Sequence, residues 1–233
     1  MQKKHIIPIV LFLAVEAILY YLLLAYGGQI RVYTSFGAIV LCFAFALLMG
    51  RKYNPLIVAG LACTVGADFC LVMCNPIEQL AGMAFFLGTQ IHYATLMHKR
   101  HKSPLLLWIR IALSVFSVIV AAIVLKENLD ALAIFSIAYY ANLIMNMIVA
   151  FTQWKTCRLL PIAFVLFLLC DTVIGLQVAA NGYLPIKEGS WLHNIIFTDF
   201  YLSWFFYLPS QVLIALSSMR KGDANGCTET ETV

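Results

Sequence analysis

The feature that most constrains this chain is a succession of long apolar segments, at 6–26, 32–49, 55–74, 79–97, 104–125, 129–151, 160–180 and 195–219. The hydrocarbon core of a bilayer is about 30 Å thick, and a helix rising about 1.5 Å per residue crosses it in roughly twenty residues. Eight such runs on short links leave no room for a sizeable domain outside the membrane. Backbone N–H and C=O groups in hydrocarbon must be satisfied within the segment, and the alternation expected of barrel strands is absent. The fold expected is all-α, a polytopic transmembrane bundle of about eight helices. Residues 1–219 form a single domain, followed by a polar tail, 220–233, read as disordered. Composition agrees: 63% of residues are hydrophobic and 11% charged, whereas a soluble domain carries about a quarter charged.

The first run is too long for the apolar region of a signal peptide, and no small-x-small cleavage site follows it, so it reads as an uncleaved span. Pro8, Pro55, Pro104 and Pro161 stand near segment starts, where a missing N–H costs least. Lys and Arg at 3, 4, 51, 52, 99, 100, 102, 155, 158, 220 and 221 lie on one side of the alternating links, against Arg31, Lys126 and Lys187 on the other. That asymmetry puts both termini in the cytoplasm. Arg110 lies inside the fifth segment, where its stem can snorkel. The net charge of +4 therefore reports topology rather than nucleic acid binding. The location expected is an integral, multi-pass one, in the cell membrane if the source is bacterial. The seven cysteines form no CxxC pair and no zinc-type spacing with histidine, and they read as small core residues.

Polar residues inside these spans carry the functional information. Asp68 sits well inside the third segment and Asp171 well inside the seventh. An ionisable group at that depth marks a functional site by default. His92 follows on the fourth segment with Thr89 and Tyr93. Tyr139, Asn142 and Asn146 recur at i, i+3 and i+7 on the sixth, on one helical face. Asp199, Ser203, Tyr207, Ser210 and Gln211 line the eighth, and Glu16 lies mid-span in the first. Such stripes suggest convergence on a polar cavity. The stripe on the sixth segment reads equally as interhelical glue, worth about 0.6 kcal/mol per hydrogen bond. Glu16 reads as a hydrogen-bonded structural acid, and Asp199, near the outer mouth, as a solvated one.

Two carboxyl groups close together in a medium of low dielectric do not both ionise easily, so one keeps its proton. Such a pair offers a general acid beside a general base. Proton or ion coupling in a transporter would use the same acids, and so would a lipid-binding protein without catalysis. A serine hydrolase is disfavoured because no GxSxG elbow occurs, and a zinc hydrolase because HExxH and HxxxH pairs are missing. No metal or other cofactor is expected.

Four places resemble the lysoplasmalogenase (YhhN-like) family of eight-helix membrane proteins. Gly66-Ala67-Asp68 with Leu71 is similar to its Gly–Asp motif, with an Ala interposed. Gly82 to Tyr93 is similar to its Gly-x-x-x-Phe…His run, with Tyr93 directly after His92. Cys170-Asp171 stands where the family has Ser-Asp. Tyr207-Leu208-Pro209-Ser210-Gln211-Val212-Leu213-Ile214-Ala215-Leu216-Ser217 keeps its terminal pattern. The resemblance implies hydrolysis of the vinyl ether bond of a lysophospholipid, lysoplasmalogen, within membrane lipid. The products would be a fatty aldehyde and a glycerophospho-ethanolamine or -choline. It implies Asp68 and Asp171 as the catalytic acids, with His92, Tyr93, Tyr140, Asn142, Asp199, Tyr207 and Gln211 holding water or the headgroup. It implies no metal.

Overall fold

The computed structural model describes residues 6–100, 103–125, 130–155, 157–182, 186–198 and 200–219. Asp199 and the tail 220–233 lie outside the described residues. The described residues form helices α1 (Ile6–Ala25), α2 (Gly28–Gly50), α3 (Pro55–Asp68, continued by a π-helical turn Phe69–Met73), α4 (Gln79–Arg100), α5 (Pro104–Leu125), α6 (Ala131–Thr152), α7 (Leu159–Gly182), α8 (Trp191–Ile196) and α9 (Leu202–Ser217), with no strand among them. Six of these are long and apolar enough to cross a membrane: α1, α2, α3 with its π turn, α5, α6 and α7. The protein is thus an integral membrane helical bundle. Of the other two expected spans, α4 is long but carries Gln90, His92, His98, Lys99 and Arg100, and α9 is a shorter apolar helix.

The last expected segment, 195–219, is not one helix. It begins inside α8, a single capped turn whose Ser190 side chain accepts from His193 N–H, and resumes as α9. An apolar run has no period that registers such a break. The third segment also differs from a plain helix, because Cys74 N–H donates to Phe69 O at 3.1 Å, an i→i+5 bond. Turns of this kind recur at functional sites, and this one follows directly on Asp68.

Six helices close a ring, each packed on the next in the order α2, α3, α4, α6, α7, α9 and back to α2. α1 lies against α2 and α9, and α5 packs mainly on α6, outside the ring. Lipid is as apolar as leucine, so contacts in such a bundle depend on close packing and buried hydrogen bonds rather than on hydrophobic contrast. Close approach is visible where α3 meets α4: a Cβ on Gly60 would stand 2.3 Å from the Tyr93 ring. α2 meets the end of α9 in the same way, a Cβ on Gly50 falling 2.0 Å from Ser218 Oγ. Beside it, Asn54 Nδ2 donates to Ser218 O at 3.0 Å and Arg100 donates to Asn54 Oδ1 at 3.0 Å. The start of α3, the end of α4 and the end of α9 therefore share one end of the bundle.

Pro209 inside α9 explains how α1 is attached. Proline has no N–H, so the carbonyl four residues earlier is left without its helical partner. That carbonyl, Phe205 O, accepts from the Tyr20 hydroxyl of α1 at 2.9 Å. Tyr20→Phe should lower the thermal midpoint of the detergent-solubilised protein by a stability loss of about 1 kcal/mol. An unchanged midpoint would show that another donor serves that carbonyl.

Candidate functional site

Asp68 and Asp171 reach the bundle interior from opposite walls of the ring. α3 and α7 stand three places apart in the six-helix circuit, so the acids do not meet across a direct helix–helix contact. What joins them is the set of helices that lie between them in the circuit, α6 and α9 among them. Asp68 lies thirteen residues beyond Pro55, the first residue of α3, and Asp171 twelve beyond Leu159, the first of α7. Both are therefore about 20 Å along their helices.

Each carboxyl group is held by a tyrosine from a third helix. The Tyr207 hydroxyl of α9 donates to Asp68 Oδ2 at 2.7 Å, and Asp68 is 3% exposed. The Tyr139 hydroxyl of α6 donates to Asp171 Oδ2, and Asp171 is half-buried. The same pair of apolar rings packs on both tyrosines. Phe86 of α4 lies 5.6 Å from Tyr139 and 6.4 Å from Tyr207 between ring centroids, and Phe167 of α7 lies 6.4 and 5.5 Å from them. A buried carboxyl without a donor is costly, and here each has one on a rigid aromatic stem. The arrangement is a pair of acids held in fixed positions in a mainly aromatic interior, where charge acts over a longer range than in water.

The sequence model of the YhhN family matches residues 30–218, which takes in α3, α4, α6, α7 and α9 and therefore both acids and both tyrosines. The chain belongs to the YhhN family. That family includes lysoplasmalogenases. No curated protein and no solved structure matches the chain. The whole of α1, with Glu16, precedes the matched residues.

Of the residues expected around the acids in this YhhN-family chain, the structure gathers some and disperses others. Tyr207 is at Asp68. Tyr140 directly follows Tyr139 on α6 and shares a hydrogen bond of 2.8 Å with Thr172, the residue after Asp171. Gln211, fully buried on α9, donates to Ser210 Oγ at 3.2 Å, and its Oε1 has no partner among the described residues. Tyr93 is fully buried against Gly60 and Phe164, its ring centroid 5.6 Å from the latter, in the α3–α4 packing. His92 is half-buried on α4. Asn142 turns away from the acids to α5, accepting from Arg110 at 3.2 Å and donating to Ser114 Oγ at 3.2 Å.

The stripe on the sixth segment thus has three destinations rather than one cavity. Tyr139 goes to Asp171, Asn142 to α5, and Asn146 to Gln90, donating to its Oε1 at 2.8 Å and its carbonyl at 3.0 Å. An α6 wedged among α4, α5 and α7 offers a different neighbour to each face. Tyr140 bonds to Thr172, while the tyrosine that bonds to Asp171 is Tyr139, which is not among the expected site residues. Its place in the i, i+3, i+7 stripe was the signal for it. Glu16, 3% exposed, accepts from the Cys42 thiol at 3.3 Å.

Proposed function

We propose that the protein hydrolyses the vinyl ether bond of lysoplasmalogen, using Asp68 and Asp171. One observation carries this reading: inside a YhhN-family chain two membrane-embedded carboxyl groups are each oriented by a tyrosine, and both tyrosines pack on the same two rings, Phe86 and Phe167. An enol ether is hydrolysed by proton transfer to its β-carbon, which leaves an oxocarbenium ion at the α-carbon. Water adds to that cation and loses a proton, and the resulting hemiacetal breaks into an aldehyde and the glycerol hydroxyl. The net reaction consumes one water and returns the catalytic proton.

In this reading one aspartic acid delivers the proton, while the other, as the anion, faces the developing cation and accepts the proton of the attacking water. A preorganised anion in a site of low dielectric stabilises such a cation strongly. The tyrosine hydroxyls keep each carboxyl in place, and Phe86 and Phe167 supply apolar surface for the alkenyl chain. Tyr140 and Gln211 offer polar atoms to water or to the headgroup.

The test is aldehyde release from lysoplasmalogen by detergent-purified protein, with the saturated 1-alkyl ether lysolipid as control. Stoichiometric aldehyde from the vinyl ether and none from the saturated ether is the expected result, because only the enol ether has a β-carbon that can be protonated. Folded protein that releases no aldehyde overturns the proposal.

A further inference from the structure

Arg110 carries its guanidinium within an apolar span, on α5, outside the ring that holds the acids. Among the described residues its hydrogen-bond partner is neutral: Nη1 donates to Asn142 Oδ1 at 3.2 Å on the outer side of α6. A cation within a membrane segment normally faces a carboxylate, a carbonyl or water. Here the space beside it is a cleft between α4, α5 and α6. Two adjoining hollows, of about 280 and 350 Å³, share His98 and Leu107. The first holds Arg110 and Asn142 among apolar walls that include Leu107 and Val149, and the second is bordered by Lys99. The cleft is therefore apolar along its length and basic at the end where α4 finishes in His98, Lys99 and Arg100.

We propose that this cleft binds an anionic phospholipid, as a site separate from the aspartate pair. A guanidinium presents paired N–H donors that match two oxygens of a phosphate diester. Lys99 and the His98 ring border the same approach, and no acid is among the described residues that line the cleft. The Leu107 and Val149 walls suit an acyl chain, which a free phosphate ion would leave unused. The assignment rests on charge complementarity at one end and apolar lining along the rest. Asn142 then orients the arginine rather than a substrate headgroup. Because α5 is held mainly by α6, a lipid filling the α4–α5 gap would also fasten α5 to the bundle.

The experiment compares full-length, detergent-purified protein with added phosphatidylglycerol, phosphatidylcholine or sn-glycerol 3-phosphate, reading the thermal midpoint. Phosphatidylglycerol should raise the midpoint of the wild-type protein by several degrees more than phosphatidylcholine does, and glycerol phosphate should leave it unmoved. Arg110→Gln should abolish the difference between the two lipids, and Arg110→Lys should keep part of it. Equal shifts with both lipids, a full shift from glycerol phosphate, or a full phosphatidylglycerol effect in Arg110→Gln would each overturn the site. A second measurement is independent of any variant's folding. Phosphatidylglycerol with a photoactivatable acyl chain should label the α5 and α6 peptides around Leu107 and Val149, competed by unlabelled phosphatidylglycerol and not by phosphatidylcholine. Labelling confined to helices other than α4, α5 and α6 overturns the proposal as well.

Discussion

Asp68→Asn and Asp171→Asn should each reduce aldehyde release from lysoplasmalogen by at least about a hundredfold, the lower end of what a positioned general acid or base contributes. The substitution is chosen because it removes only the exchangeable proton and the charge. An asparagine has the same shape, and its amide oxygen can accept the Tyr207 hydroxyl bond that Asp68 now accepts, so the bundle has no packing reason to fail. Both variants should melt within a few degrees of wild type, which separates loss of chemistry from loss of fold. The double variant should be no worse than the poorer single one, because acid and base act on one transition state and residues of that kind are far from additive. A variant that keeps more than a tenth of the activity removes its residue from the mechanism. Two independent tenfold losses that multiply in the double variant would instead describe two residues that merely shape the pocket.

Gly60→Val should prevent the protein from reaching a stable fold in detergent. The new Cβ would lie 2.3 Å from Tyr93 Cε1 and 2.8 Å from its Cζ, well inside van der Waals contact. The ring has no free direction to move, since Tyr93 is fully buried and packs on Phe164 of α7 as well. Overpacking a close-packed interface typically costs about 1–3 kcal/mol, and here α3 would have to be pushed off α4, moving Asp68 with it. Gly37→Ala in α2 is the matched control. Nothing lies within 4 Å of its Cβ position, and alanine is about 1 kcal/mol the better helix former. Its midpoint should hold or rise slightly while Gly60→Val loses its monodisperse peak in size-exclusion chromatography. Equal behaviour of the two would mean that α3 and α4 are not in contact at Gly60. Gly60→Ala, placing a single methyl group there, should fall between them.

Much of the membrane architecture was legible in the chain because the information is one-dimensional. Most helix edges lie within a few residues of the apolar runs: Pro104–Leu125 coincides with its segment, and Leu159–Gly182 extends the run 160–180 by three residues in all. Asp68 and Asp171 stood out for the same local reason, a carboxyl group amid residues that hydrocarbon accepts. The break before α9 did not stand out. Ser190 caps a short helix and Leu202 begins another, and the only polar step between the two helices, Thr198-Asp199, is short enough to pass within an apolar span.

Partnership was decided by tertiary structure alone. The sequence by itself determined that this is a helical membrane protein with two acids deep in its third and seventh spans. Only the folded bundle decided that those spans face each other across a six-helix ring, that Tyr139 and Tyr207 rather than Tyr93 and Asn142 hold the acids, and that Asn142 belongs to Arg110. The physical reason lies in the solvent. In water the apolar face of a helix announces which side is inward, but in a bilayer lipid and protein are equally apolar and that contrast disappears. Which faces meet is then set by shape at places such as Gly60 against Tyr93 and by hydrogen bonds between residues far apart in sequence, as Tyr207 and Asp68 are.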